Sequence, residues 1–136
     1  MIEHGDRRGE RDHFLAVVSV VGAANALLNG FRDWIDEELT DLVERVRFAQ
    51  LLASGDDRQR LDRVARRLTD VETTELPDCV NELRERIADI SNGAYDSVTD
   101  ARRWVEVPCN RFENIVLELL SYRPLLVHGE ANGEGE

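Results

Sequence analysis

The sequence predicts an all-α protein, a helical bundle of five or six helices with a short extended C-terminal segment and an acidic tail. Apolar residues recur at intervals of three and four through most of the 136 residues, which is the helical period. No useful run alternates apolar and polar residues as a strand would, and short clusters rich in Gly, Asn, Asp or Pro separate the periodic segments. We therefore expect a flexible charged leader at 1–12, a helical domain at 13–124 and a disordered acidic tail at 125–136.

The first helix is expected to begin at Asp12 or His13 and to contain an uncharged segment, 14–31. A membrane span needs about 20 apolar residues, so a small membrane-anchored protein and a secretory signal are the alternatives. However, Gly22, Asn25 and Asn29 recur at helical spacing as one stripe of small or polar residues. Such a stripe favours a soluble helix at a helix–helix seam, and these three residues are interface candidates.

The second helix is predicted at 31–53, and Asn29-Gly30 leaves open whether it continues the first. Its apolar seam comprises Ile35, Leu39, Leu42, Val46, Ala49 and Ala53. The third helix is predicted at 57–71, and its outer faces carry the only basic concentration: Arg58, Arg60, Arg63, Arg66 and Arg67. Because Asp62 and Asp70 stand four residues after Arg58 and Arg66, we interpret this surface as solvated and self-neutralised.

A connector is expected at 72–77, followed by a fourth helix that opens at Pro77 and ends near Ile90. A short fifth helix has Asp96 or Ser97 as its cap, since Ser97 and Asp100 resemble a capping box. Pro108 is expected to end it and to separate a sixth helix reaching about residue 122. Beyond Pro124 the apolar triplet Leu125, Leu126 and Val127 is predicted to be extended and to dock on another chain.

The chain contains no lysine, and its 17 arginines face 28 Asp and Glu residues, for a formal net charge of -11. This composition resembles that of proteins from halophilic archaea that accumulate salt, although a GC-rich genome also replaces lysine by arginine. An acidic surface repels phosphate, which makes nucleic acid an unfavourable partner.

Two cysteines form no disulfide framework, which indicates free thiols in a cytoplasmic protein. No spacing indicates a metal or a cofactor.

The residues Arg123-Pro-Leu-Leu-Val-His128 resemble the Arg-x4-His signature of the HEPN ribonucleases, which are small all-α toxins. The resemblance implies that Arg123 stabilises phosphate charge and that His128 acts as acid and base. The sequence departs from the family pattern at Pro124, where a polar residue is usual, and at Glu130, where tyrosine is frequent. The segment Arg8–His13 has the same spacing, so a metal-free ribonuclease is retained only as the enzymatic alternative.

The region from Val107-Pro108 through a helix to Leu120-Ser-Tyr-Arg-Pro124 resembles the small head-to-tail adaptor proteins of tailed viruses, which form rings. That resemblance implies a virion component. With no catalytic set in the sequence, our principal expectation is a non-enzymatic helical interaction or structural protein. It would self-associate as a homo-oligomer or dock in a larger assembly, and it would be adapted to high salt.

We expect the midpoint of thermal unfolding to rise steeply when KCl is raised from 0.1 to 2 M. The reason is that salt screens the repulsion among carboxylates, with a screening length of about 3 Å at 1 M. Thermal melts followed by circular dichroism measure this midpoint. A midpoint that stays constant or falls over this range contradicts adaptation to high salt.

Overall fold

The computed structural model describes the backbone of residues 2–126 and the side chains of residues 9–126. This part of the chain is almost entirely helical and contains no strand. Its α-helices are α1 (Ile2–Trp34), α2 (Thr40–Leu52), α3 (Gly55–Asp70), α4 (Leu76–Ser91) and α5 (Val98–Leu120). The π-helical turns Ile35–Leu39 and Val71–Glu75 join α1 to α2 and α3 to α4 without a break. The all-α prediction is confirmed, but the five helices form three continuous rods.

The first rod (α1 and α2) and the second rod (α3 and α4) form a long antiparallel hairpin that reverses at Ala53-Ser54. In one half of the hairpin, α1 and α4 pack against each other and against α5, the third rod. In the other half, α2 packs against α3. The molecule is therefore a three-helix bundle that continues into a two-helix extension, because α5 covers only half of the hairpin.

The core of the three-helix half is centred on Phe112 of α5. Its ring stacks on Phe31 of α1 with 3.9 Å between centroids, and Trp34 meets it edge-on at 6.2 Å. The buried positions of α4 and α5 include Val80, Leu83, Ile87, Ile90, Phe112, Ile115 and Leu119. In the two-helix half, Leu39, Leu42 and Val46 of the predicted seam are buried, together with Leu61, Val64 and Leu68 of α3.

The first helix begins at Ile2 rather than at Asp12 or His13, so residues 2–12 of the predicted leader have helical backbone. These residues are charged, and no proline interrupts them. Extending an existing helix by one residue costs far less than nucleating one, because each added residue forms a hydrogen bond. The uncharged segment of α1 therefore supports a helical extension that its own composition would not predict. The question left open at Gly30 is also answered, since α1 continues through it.

The predicted connector at 72–77 is a π-helical turn within a continuous rod. Val71 and Leu76 are both fully buried although they are five residues apart. In an α-helix five residues rotate by about 500°, which would place the two side chains on different faces. The wider turn, in which the Leu76 N–H donates to the Val71 carbonyl, brings both into the core. Pro77 then follows directly after the π-helical turn, as the second residue of α4.

Pro108 does not separate two helices, as the sequence predicts, but lies buried inside α5. A proline within a helix lacks the N–H that would bond the carbonyl four residues earlier, here that of Trp104. Nη1 of Arg86 on α4 donates to this carbonyl oxygen at 2.8 Å. The same guanidinium lies 4.0 Å from the centroid of the Trp104 ring and pairs with Glu82 at 2.5 Å. Arg86 therefore compensates for the proline, and it stacks on the half-exposed ring of Trp104.

The start of α5 follows the sequence closely. Ser97 is the N-cap, and its hydroxyl accepts a hydrogen bond from the Asp100 N–H at 3.1 Å.

Beyond the end of α5 the structure differs from prediction, because residues 123–126 form a helical turn rather than an extended segment. Pro124 lies in the first positions of that turn, where proline fits. Leu126 is only 7% exposed and packs into the chain's own core rather than presenting its side chain to another chain. Leu125 is 37% exposed, and Val127 lies outside the described residues.

We expect Arg86→Met to lower the free energy of unfolding by about 1–2 kcal/mol, because the Trp104 carbonyl loses its donor. Combining it with Pro108→Ala should reduce this cost by about 1 kcal/mol, since alanine returns the helical N–H. Urea denaturation of the two single variants and the double variant measures the coupling. Arg84→Met, at an exposed arginine of the same helix, is the control. Additive effects of Arg86→Met and Pro108→Ala would contradict this role for Arg86.

Candidate interaction surfaces

The outer face of α1 is a contiguous uncharged surface. We define it by the exposed residues Phe14, Leu15, Val18, Ser19, Gly22, Ala23, Asn25, Ala26, Leu27, Asn29 and Gly30. The inner seam of α1, which packs on α4 and α5, comprises Val17, Val20, Ala24, Leu28 and Phe31. The predicted interface residues Gly22, Asn25 and Asn29 therefore do not lie at a seam within the chain. They lie together on the opposite side of the helix, where no other part of the described chain covers them.

The first rod is long and apolar enough to cross a bilayer, by length and composition alone. A helix in the core of a soluble protein passes the same test when most of it is buried. Here only 28% of the apolar window is buried within the chain. The fold therefore explains one side of this helix and leaves the other side available to a further partner.

A second apolar surface lies on the two-helix half, which α5 is too short to cover. It is a groove of about 770 Å³ between α2, α3 and the turn at 123–126. The floor includes Ala49, Leu61 and Leu126, and Phe48 and Leu52 form a wall. Phe48 is 64% exposed and Leu52 is 74% exposed. The rim is charged and includes Asp41, Glu44, Arg45, Asp57 and Arg60.

The arginine-rich helix α3 supplies the main polar contact between the second and third rods. The Arg67 guanidinium bonds Glu118 of α5 at 2.6 and 2.8 Å and also bonds Glu75 in the π-helical turn. Tyr122 donates to the same Glu118 carboxylate at 2.8 Å. The Arg67 bonds, and secondarily Tyr122, hold the pKa of Glu118 below its usual range, while Arg67 has its pKa raised by both carboxylates. This arginine therefore fastens three segments and is committed to the fold.

The other contacts of α3 support a self-neutralised surface in part. The predicted Arg58–Asp62 pair is present at 3.3 Å, whereas Arg66 donates to the Asp62 carbonyl oxygen rather than to Asp70. Gln50 of α2 donates to the Asp62 carboxylate at 2.8 Å and is the main reason that the pKa of Asp62 is lowered. Asp62 thus links the two helices of the extension.

Arg123, the candidate phosphate-binding residue of the ribonuclease resemblance, donates from Nη2 to Glu38 at 2.9 Å. Both side chains are about half exposed, and the pair fastens the start of the C-terminal turn to the first rod. His128, its proposed catalytic partner, lies outside the described residues. A guanidinium that already has a carboxylate partner is less available to a phosphate.

The thiols of Cys79 and Cys109 are buried and free, as predicted. Burial raises the pKa of both, that of Cys109 to about 11. Both therefore remain protonated near neutral pH and are poor nucleophiles. Among the described side chains, those of residues 9–126, no group of three or more His, Cys, Asp or Glu is placed to hold a metal ion.

Comparison of the chain with protein-family models, curated proteins and solved structures finds no match. Sequence reasoning identified the polar stripe of the outer face but not its apolar members or the groove at the hairpin tip. A signal for both was available. Phe48 and Leu52 are large apolar residues outside the predicted seam of the second helix, and Phe14 and Leu15 add large apolar residues beside the polar stripe of the first. Apolar residues in excess of one seam indicate a second apolar surface.

We expect the contact between Arg67 and Glu118 to make stability fall in acid. The folded pKa of Glu118 is lower than the unfolded pKa of about 4.3, so its contribution is complete above that value. It is lost as pH decreases through the folded pKa. Since the Glu118 side chain is 36% exposed, its contribution is reduced by solvent to about 1 kcal/mol. Urea denaturation from pH 7 to pH 3 should therefore show a smaller decrease for Glu118→Gln than for the natural chain. The control Glu113→Gln, at an exposed carboxylate of α5, should decrease like the natural chain, and equal curves for all three would contradict the assignment.

Proposed function

We propose that this chain is a non-enzymatic helical interaction protein that self-associates through the outer face of α1. The observation that carries the proposal is an eighteen-residue segment, 14–31, which contains no charge although a third of the chain is charged. Exposed single apolar residues are ordinary, but a contiguous uncharged helix face on an otherwise charged surface is typical of a binding site.

Because the net charge is -11, two copies of this chain should associate through a surface that carries no carboxylates. Two copies of this chain repel each other at most orientations, because carboxylates of one copy meet carboxylates of the other. Between residues 14 and 31 the outer face of α1 brings no charge of either sign to the contact, and charged residues occur only at its two ends. Association through it therefore avoids like-charge pairs, and multimolar salt weakens the remaining repulsion between the two copies.

The contacts made by Arg123, the described candidate catalytic residue, and by other reactive side chains also support an interaction protein. Arg123 is paired with Glu38, Arg67 is committed to the packing of α5, and the thiols are buried and protonated. These described side chains serve the fold rather than a substrate. The features that the fold leaves unused are apolar surfaces, and apolar surfaces bind other apolar surfaces.

Sedimentation velocity in 2 M KCl tests this proposal with one variant and one matched control. Ala26→Glu introduces a charge into the outer face of α1, and we expect it to be monomeric at concentrations where the natural chain is dimeric. Ala88→Glu makes the same change at an exposed position of α4 and should sediment like the natural chain. We also expect weaker association in 0.2 M KCl because repulsion is less screened.

Three outcomes would overturn the proposal. A natural chain that remains monomeric up to millimolar concentration does not self-associate. Equal dimerisation of Ala26→Glu and the natural chain would place the contact elsewhere. Flotation of the natural chain with lipid vesicles in 2 M KCl, abolished by Ala26→Glu but not by Ala88→Glu, would show that the partner of this face is a bilayer.

A further inference from the structure

We infer that the partner of the outer face of α1 is the same face of a second copy, arranged antiparallel and crossing at Gly22. This inference rests on the proposed function and adds the orientation and the register of the contact. It follows from the order of residues along the centre of the outer face, taken with the charges at its two ends.

The centre line of the outer face is a symmetric pattern. Exposed positions follow one another at steps of four, three and four residues on either side of Gly22. These positions are, in chain order, Arg11, Leu15, Val18, Gly22, Ala26, Asn29 and Asp33. A repeat of eleven residues in three turns stays on one side of a nearly straight helix. All seven positions therefore lie on the side of α1 that faces away from α4 and α5.

Charge complementarity selects the antiparallel orientation. With two helices crossing at Gly22, residues whose numbers sum to 44 lie opposite each other. Arg11 of one copy then faces Asp33 of the other, and symmetry repeats this pair at the other end. The sequence continues the same order, since Arg7 and Arg8 precede Arg11 and Asp36 and Glu37 follow Asp33. A parallel pair would place arginine against arginine and aspartate against aspartate.

Side-chain size fits the same register. Val18 of one copy faces Ala26 of the other, and Leu15 faces Asn29, so a larger residue meets a smaller one at each level. At the crossing, Gly22 faces Gly22, which permits close approach of the two backbones. A Cβ added at Gly22 meets no atom of its own chain within 4 Å, so the fold of the single chain does not require glycine there.

The area of the contact indicates how tight it is. From Arg11 to Asp33 the helix is about 33 Å long. A contact about 12 Å wide over that length buries on the order of 400 Å² per copy, about half of the 800 Å² typical of a stable interface. We therefore expect a reversible dimer with a dissociation constant of about 1–100 μM. Such a dimer fits an interface made of alanine, glycine and asparagine with few large anchors.

Disulfide trapping in 2 M KCl tests the orientation. Gly22→Cys should form a disulfide dimer, because bridged cysteines need Cα atoms within about 7 Å. Val18→Cys alone should not, since its two copies are about 12 Å apart along the crossed helices. A mixture of Val18→Cys and Ala26→Cys should form the bridge. Cys79 and Cys109 are buried and their pKa values are raised, so any disulfide that forms should involve the introduced cysteines.

The outcomes distinguish this inference from the proposed function on which it rests. If Val18→Cys bridges to itself as readily as Gly22→Cys, the helices are parallel, and the proposed self-association stands while its orientation is wrong. If the natural chain dimerises by sedimentation but no cysteine variant bridges, the register is wrong. Ala23→Cys controls for non-specific oxidation, because its side chain lies well away from the centre line and should bridge less than Gly22→Cys. A natural chain that is monomeric by sedimentation overturns both.

Discussion

A three-helix bundle gives each helix only two neighbours, and this limit determines what α1 does. Its inner seam packs on α4 and α5 around the stacked rings of Phe31 and Phe112, 3.9 Å apart. The remaining side of a helix in that position is ordinarily charged, because water is its partner. In α1 that side is uncharged from residue 14 to residue 31. The packing of one chain therefore buries only the inner seam of α1 and leaves its uncharged outer side exposed to solvent.

The unequal length of the rods produces the second open surface. The third rod ends at Leu120, beside the π-helical turns, so α2 and α3 continue with no third helix against them. The turn at 123–126 covers part of the gap by burying Leu126, and Arg123 fastens it to Glu38. The groove with Phe48 and Leu52 is what remains uncovered. Both open surfaces thus result from the same architecture, in which a long hairpin is packed by a short helix.

The sequence predicted the helical class, the Ser97 cap and most of the buried seams, because helical periodicity and capping are local properties. It failed where a distant residue overrides a local signal. Pro108 indicates a break, but Arg86 on another helix supplies the donor that its backbone lacks, and no local pattern reveals that contact. Pro77 similarly indicated a connector, but a π-helical turn precedes it and the helix continues through this position. At the candidate site, Gly22, Asn25 and Asn29 were identified as a surface, but the side of the helix they occupy depends on where α4 and α5 pack.

The central claim is that the outer face of α1 joins two copies in antiparallel orientation. The most direct test is the distance between two spin labels attached at Gly9→Cys, an exposed position with open space around it. Gly9 is thirteen residues from Gly22, so antiparallel helices place the two labels about 40 Å apart along the axis. Pulsed electron paramagnetic resonance of the labelled Gly9→Cys variant, which carries no other substitution, should give one distance near that value in 2 M KCl. A distance below about 20 Å would indicate parallel helices, and the absence of any dipolar signal at dimer-forming concentration would contradict the claim altogether.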